Sequence, residues 1–118
     1  FTLQAAPFYQ ARVQSTLQPD YNKSYFGRYR QPTRTGAFYA TAAFIGSTTV
    51  DITTPDLTHV PGWRSEWGPL PGISTTLSAS AFGWTGTAKT LFPGWFGDVM
   101  TEPGVLLKSA MRSMVMTP

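Results

Sequence analysis

The sequence predicts a mainly β or α+β domain: a small antiparallel sheet with Pro-Gly turns, an extended N-terminal arm and one C-terminal amphipathic helix. Three observations carry this reading. Ile73, Thr75, Leu77, Ala79 and Ala81 alternate with Ser74, Thr76, Ser78 and Ser80, the period of two expected of a half-buried strand. Pro-Gly recurs at 61–62, 71–72, 93–94 and 103–104; it favours type II turns, because Pro fixes φ at one corner and Gly accepts positive φ at the next. Toward the end, Lys108, Ser109, Arg112 and Ser113 interrupt the apolar Val105, Leu106, Leu107, Ala110, Met111, Met114 and Val115, which puts one wet stripe on a helix.

The chain has 118 residues, enough for one compact core and too few for two. It divides at Gly36. Residues 1–36 lack a sustained period, are broken by Pro7, Pro19 and Pro32, and end in Gln31-Pro32-Thr33-Arg34-Thr35-Gly36, so they read as a basic aromatic extended arm. Tyr21, Tyr25 and Tyr29 stand four apart and would line one face of a short helix, which Gly27 weakens. Residues 37–118 read as a single small β-rich domain ending in a helix. Within it, 37–45 suits a strand, although its alanines also permit a helix. Val50 and Ile52 against Asp51 give a strand over 48–53; 73–81 is the clearest strand and 87–92 a candidate fourth. The helix is expected over 104–116, with Thr101 as its cap, Glu102 and Pro103 in the first turn, and Lys108 and Arg112 in the later turns. It would cover the apolar face of the sheet. Pro61-Gly62-Trp63 and Pro93-Gly94-Trp95 are each followed by a further Pro-Gly at the same interval, an internal similarity of two copies where repeat architectures usually need about three.

Composition bounds the function. Charged residues are only 13% of the chain, whereas 14% are aromatic, with 11 Gly and 10 Pro; an ordinary domain carries about twice that charge. Net charge is +3, unevenly placed. Arg12, Lys23, Arg28, Arg30 and Arg34 against Asp20 make residues 1–36 basic, while the rest carries one more acid than base. A basic arm attracts a polyanion, whether nucleic acid, an acidic protein face or anionic lipid. The opening residues, with one Arg and no acid up to Pro19, also suit a transit peptide or an unpaired arm. No apolar run is long enough for a membrane helix.

The residues that carry chemistry are sparse. Cysteine is absent and His59 is the single histidine, so neither a thiolate nucleophile nor a sulfur-based zinc site is available. His59 follows Asp56 by three but no serine sits in a nucleophile elbow, and it reads as a turn residue. The six carboxylates suit caps and turns better than an acid/base pair. Gly83-Trp84-Thr85-Gly86 and Gly94-Trp95-Phe96-Gly97 lack the lysine of a phosphate loop. No catalytic residue, metal or cofactor is expected. Asn22-Lys23-Ser24 matches a glycosylation acceptor, which matters only in a secreted chain.

The expected role is a non-catalytic structural or linker subunit of a large assembly, held by its arm and by aromatic contacts. A viral coat or tail component, or a peripheral subunit of an organellar or cytoskeletal complex, fits this description, with the virion or an organelle as its location. The partner-binding candidates are Arg12, Tyr21, Lys23, Tyr25, Phe26, Arg28, Tyr29, Arg30 and Arg34 in the arm, and Trp63, Trp67 and Trp95 beyond it. The alternative is a carbohydrate-binding β module using exposed Trp rings.

Overall fold

The computed structural model describes residues 1–4, 9–86 and 103–118. They form two antiparallel sheets. The smaller contains β1 (Thr2–Gln4), β2 (Gln10–Thr16) and β5 (Thr49–Thr53) in the order β1-β2-β5. The larger contains β3 (Ser24–Gln31), β4 (Arg34–Thr41), β6 (Thr75–Trp84) and β7 (Leu107–Met116) in the order β4-β3-β6-β7. A 3-10 turn at Pro19–Tyr21 leads from the small sheet to the large one, and a one-turn helix α1 (Ala42–Ile45) leads back. Thr41 caps α1 by accepting from the Phe44 N–H, and Gly46 ends it at φ 64°, the left-handed conformation that glycine adopts without strain.

The large sheet buries one face of alternating residues. On β3, Tyr25, Gly27, Tyr29 and Gln31 point inward, and Phe26, Arg28 and Arg30 point outward. Leu77 on β6 sits opposite Tyr29 and packs with it and with Ala11 of β2, so the two sheets meet through these side chains. Leu77 and Val50 are each only 1% exposed. Burying an aliphatic side chain of this size contributes roughly 1.5–3 kcal/mol. Two cross-strand pairs between β3 and β4 place an aromatic ring over a glycine: Phe38 lies against Gly27, and Tyr29 against Gly36.

Residues 54–74 form a long connection held to the large sheet by its polar groups. The Gln31 amide, 3% exposed, donates to the Leu70 carbonyl at 3.0 Å and to Thr75 Oγ1 at 2.7 Å, and accepts from the Leu70 N–H at 2.9 Å. Thr75 Oγ1 in turn donates to the Ile73 carbonyl. The Tyr29 hydroxyl donates to the Trp67 carbonyl at 2.6 Å, and the Gly72 N–H to the carbonyl of Pro118.

Several expectations are corrected here. The helix over 104–116 is instead β7, paired with β6 along ten positions from Trp84↔Leu107 to Thr75↔Met116. As an outer strand it leaves most side chains on both faces in water. Neither face therefore demanded alternation, and the apolar residues were free to fall at a helix-like spacing. Pro103-Gly104 is not a helix start but a turn, with Gly104 at φ 79°, alongside Gly62 at 84° and Gly72 at 68°. The cover over the sheet is the second sheet rather than a helix. The short helix carrying Tyr21, Tyr25 and Tyr29 is also absent: Tyr21 closes a 3-10 turn, while Tyr25 and Tyr29 share a strand face, because a spacing of four satisfies a period of two as well as a helical turn. Residues 1–36 are largely extended, yet β3 is an interior strand of the large sheet.

The other strands fall close to expectation. The strand predicted over 48–53 is β5 and that over 73–81 is β6, shifted to Thr75–Trp84. Residues 37–45 divide between β4 and α1. The candidate strand over 87–92, the second Pro-Gly-Trp corner and Trp95 lie outside the described residues. Among the described residues, no helix is long and apolar enough to cross a membrane.

Candidate interaction surface

The alternation on β3 sends Arg28 and Arg30 out of the core onto the exposed face of the large sheet. Strand pairing then fixes their neighbours. Arg28 lies between Ala37 and Ser78, and Arg30 between Thr35 and Thr76. Beyond β6, the same face continues through Met111, Ser113 and Val115 of β7. No acidic residue occurs on this face of the four strands, and neither arginine forms an ion pair among the described residues. Phe26 and Tyr39 face each other across β3 and β4, with ring centroids 4.6 Å apart and tilted by 35°. Burial raises the Tyr39 phenol above its ordinary pKa, and nearby Arg28 acts against that rise. At one end of the face, Phe82 and Trp84 form a buried cluster with Phe26, Val105 and Leu107. Along β7 on the same face, Met111 and Val115 are exposed by 74% and 66%.

The remaining candidates are distributed differently. Arg12 is engaged within the small sheet: Nε and Nη2 donate to the two carboxylate oxygens of Asp51 at 2.7 and 2.6 Å, and Gln14 adds a third bond to Oδ2. This bidentate fork raises the Arg12 pKa and lowers that of Asp51, chiefly through the hydrogen bonds between them. Tyr25 and Tyr29 are core residues, 5% and 6% exposed, whose phenols are raised by burial. The Tyr25 hydroxyl donates to the Tyr21 carbonyl at 2.8 Å. Lys23 is exposed, and Arg34 donates to the Gly68 carbonyl at 3.3 Å.

Trp63 and Trp67 line one groove of about 260 Å³ with Tyr9, Tyr29, Leu57 and Pro69. Trp67 is 58% exposed, whereas Trp63 is half-buried. Of the tyrosines, phenylalanines and tryptophans singled out from sequence, Phe26 joins the arginine-bearing face, Trp63 and Trp67 join this groove, and Tyr25 and Tyr29 belong to the interior.

The reading from sequence missed Tyr39, Met111 and Val115. The signal was available for Tyr39, since it lies opposite Phe26 once the hairpin is closed at Pro32-Thr33. It was hidden for the other two by the helix expectation. Asp51, Asp56 and His59 do not assemble a metal site: no group of three or more His, Cys, Asp or Glu gathers among the described residues. The Asp56 carboxylate is occupied by the hydroxyl and N–H of Thr58.

No protein-family model matches the chain, and neither a curated protein nor a solved structure matches it.

Proposed function

We propose that this chain is a non-catalytic structural subunit of a larger assembly, a coat, tail or peripheral complex component. Its contact to an acidic neighbouring surface is made by the outer face of the large sheet. The observation that carries the proposal is that face itself: Arg28 and Arg30 have no acidic ion-pair partner among the described residues and stand on a hydroxyl-rich sheet, and Met111 and Val115 lie exposed beside them. A face of this kind supplies long-range attraction from the guanidinium groups and apolar contact at short range. Interfaces favour Arg and Met for the same reasons. The contact residues are therefore those of an ordered sheet rather than of a free arm.

The test is sedimentation velocity of the 118-residue chain across a concentration series, alone and with a soluble polyanion such as heparin. Salt-sensitive association is expected, reduced by the R28E/R30E double variant and by Met111→Lys. A chain that stays monomeric at every concentration and does not bind the polyanion would sink the proposal. The alternative, a carbohydrate-binding β module, is favoured by the placement of Trp63 and Trp67 along one groove. It requires a monomer whose tryptophan fluorescence shifts on adding an oligosaccharide, with the shift removed by Trp67→Ala.

A further inference from the structure

We infer that the gap between the two sheets is a binding site for a medium-chain aliphatic carboxylate, with Arg112 as the group that takes the carboxylate. Sheets packed face to face stand about 10 Å apart, and large side chains normally fill the interval. Here the inward positions of β6 and β7 carry Ala79, Ala81 and Ala110, with Ala81 directly opposite Ala110. Val13 and Val50 reach down from the small sheet without closing the space. A cavity of about 240 Å³ remains, bounded on the other sides by Tyr25 and Phe38 and open to solvent. Its walls are predominantly apolar, and no acidic residue lines it among the described residues.

One charge does line it. Arg112 sits opposite Ala79 at the outer strand and forms no ion pair among the described residues. Lys108, on the same side of β7, is engaged by Asp20 at 2.8 Å. One cation without an ion pair among the described residues, set at an apolar cavity, suits a monoanion with a hydrocarbon tail, and the planar guanidinium fork matches the two oxygens of a carboxylate. Size sets the tail. An apolar cavity of about 150 Å³ accepts benzene, so the volume here holds a chain of roughly eight to ten carbons at the same packing. Phe26, Ser80 and Met111 of the arginine-bearing face also border this cavity, but carboxylate binding through Arg112 requires neither Arg28 nor Arg30, and its test does not depend on whether the chain associates.

The test is isothermal titration of the 118-residue chain with decanoate below its micelle concentration, and with decanol as the uncharged counterpart. Decanoate is expected to bind with one-to-one saturation, and decanol about tenfold or more weakly, since a hydrogen bond to a charged group is worth that much. Arg112→Gln should bring decanoate to the level of decanol. Ala81→Leu should abolish binding of both while circular dichroism retains the β signal. If that variant does not fold, Ala110→Leu on the exposed outer strand fills the same space. Absence of saturable decanoate binding, or decanoate affinity unchanged by Arg112→Gln, would overturn the inference.

Discussion

Replacing Gln31 by leucine keeps much of the side-chain volume and removes the amide that fastens the 54–74 connection to the large sheet. The Leu70 N–H and carbonyl lose their partner, and Thr75 Oγ1, in a residue 0% exposed, loses a donor. A buried polar group left unsatisfied costs about 1–3 kcal/mol. Leu70 is only half-buried, so water reaches it once the loop loosens, and its two groups belong at the low end of that range. Together with the Thr75 hydroxyl, the expected loss is about 2–4 kcal/mol. For a chain of this length that is a fall in melting temperature of roughly 8–15 °C. Urea unfolding followed by circular dichroism measures the loss, with an unchanged m-value showing that the same surface is exposed. Amide exchange locates it, because the Leu70 N–H should lose protection while that of Leu77 keeps it. A loss below about 0.5 kcal/mol, with the Leu70 amide still protected, would refute the assignment of Gln31 as the fastening.

Leu77→Ala should destabilise by about 2–5 kcal/mol in the same urea assay, since it empties the contact between Tyr29 and Ala11 where the two sheets meet. The Asp51 carboxyl is held below its ordinary pKa, first by the Arg12 hydrogen bond. Its contribution is present above the unfolded value near 3.9 and lost as pH falls through the folded one. The urea midpoint of the wild type should therefore decline more steeply than that of Asp51→Asn below about pH 4. The Tyr25 and Tyr29 phenols are raised by burial, so their contribution is complete below about pH 10 and lost as pH rises through the folded values. An ultraviolet phenolate titration should show late-ionising tyrosines, one fewer in Tyr29→Phe.

The β5 and β6 strands were legible because each has a buried face: Val50 stands between exposed Thr49 and Asp51, Leu77 alternates with the hydroxyl residues Thr76 and Ser78, and that period survives in the residue order. The Pro-Gly corners were legible for a stereochemical reason, and Gly62, Gly72 and Gly104 all take the positive φ it requires. The central position of β3 was obscured by the spacing of its tyrosines, which strand and helix satisfy equally. Its alternation of Tyr25, Gly27, Tyr29 and Gln31 with Phe26, Arg28 and Arg30 carried the decisive information. β7 was misread because an outer strand wet on both sides has no burial pattern to display. For the interaction surface, the basic character of Arg28 and Arg30 was plain. That Arg12 is consumed by Asp51 depends on a pairing across 39 residues that no local pattern encodes. The cavity was invisible for a related reason: Ala79, Ala81 and Ala110 leave a space only when two distant strands set them side by side.

The two rings that press against glycines tie positions together across the β3–β4 hairpin. A methyl group at Gly27 would run into Phe38, and one at Gly36 into Tyr29. Each glycine is tolerable in a strand because its ring covers the bare backbone, and each ring fits because its glycine is bare. Descendants of this gene should therefore change these residues two at a time, Gly27 with Phe38 and Gly36 with Tyr29, and the single replacements should be disproportionately harmful relative to the doubles.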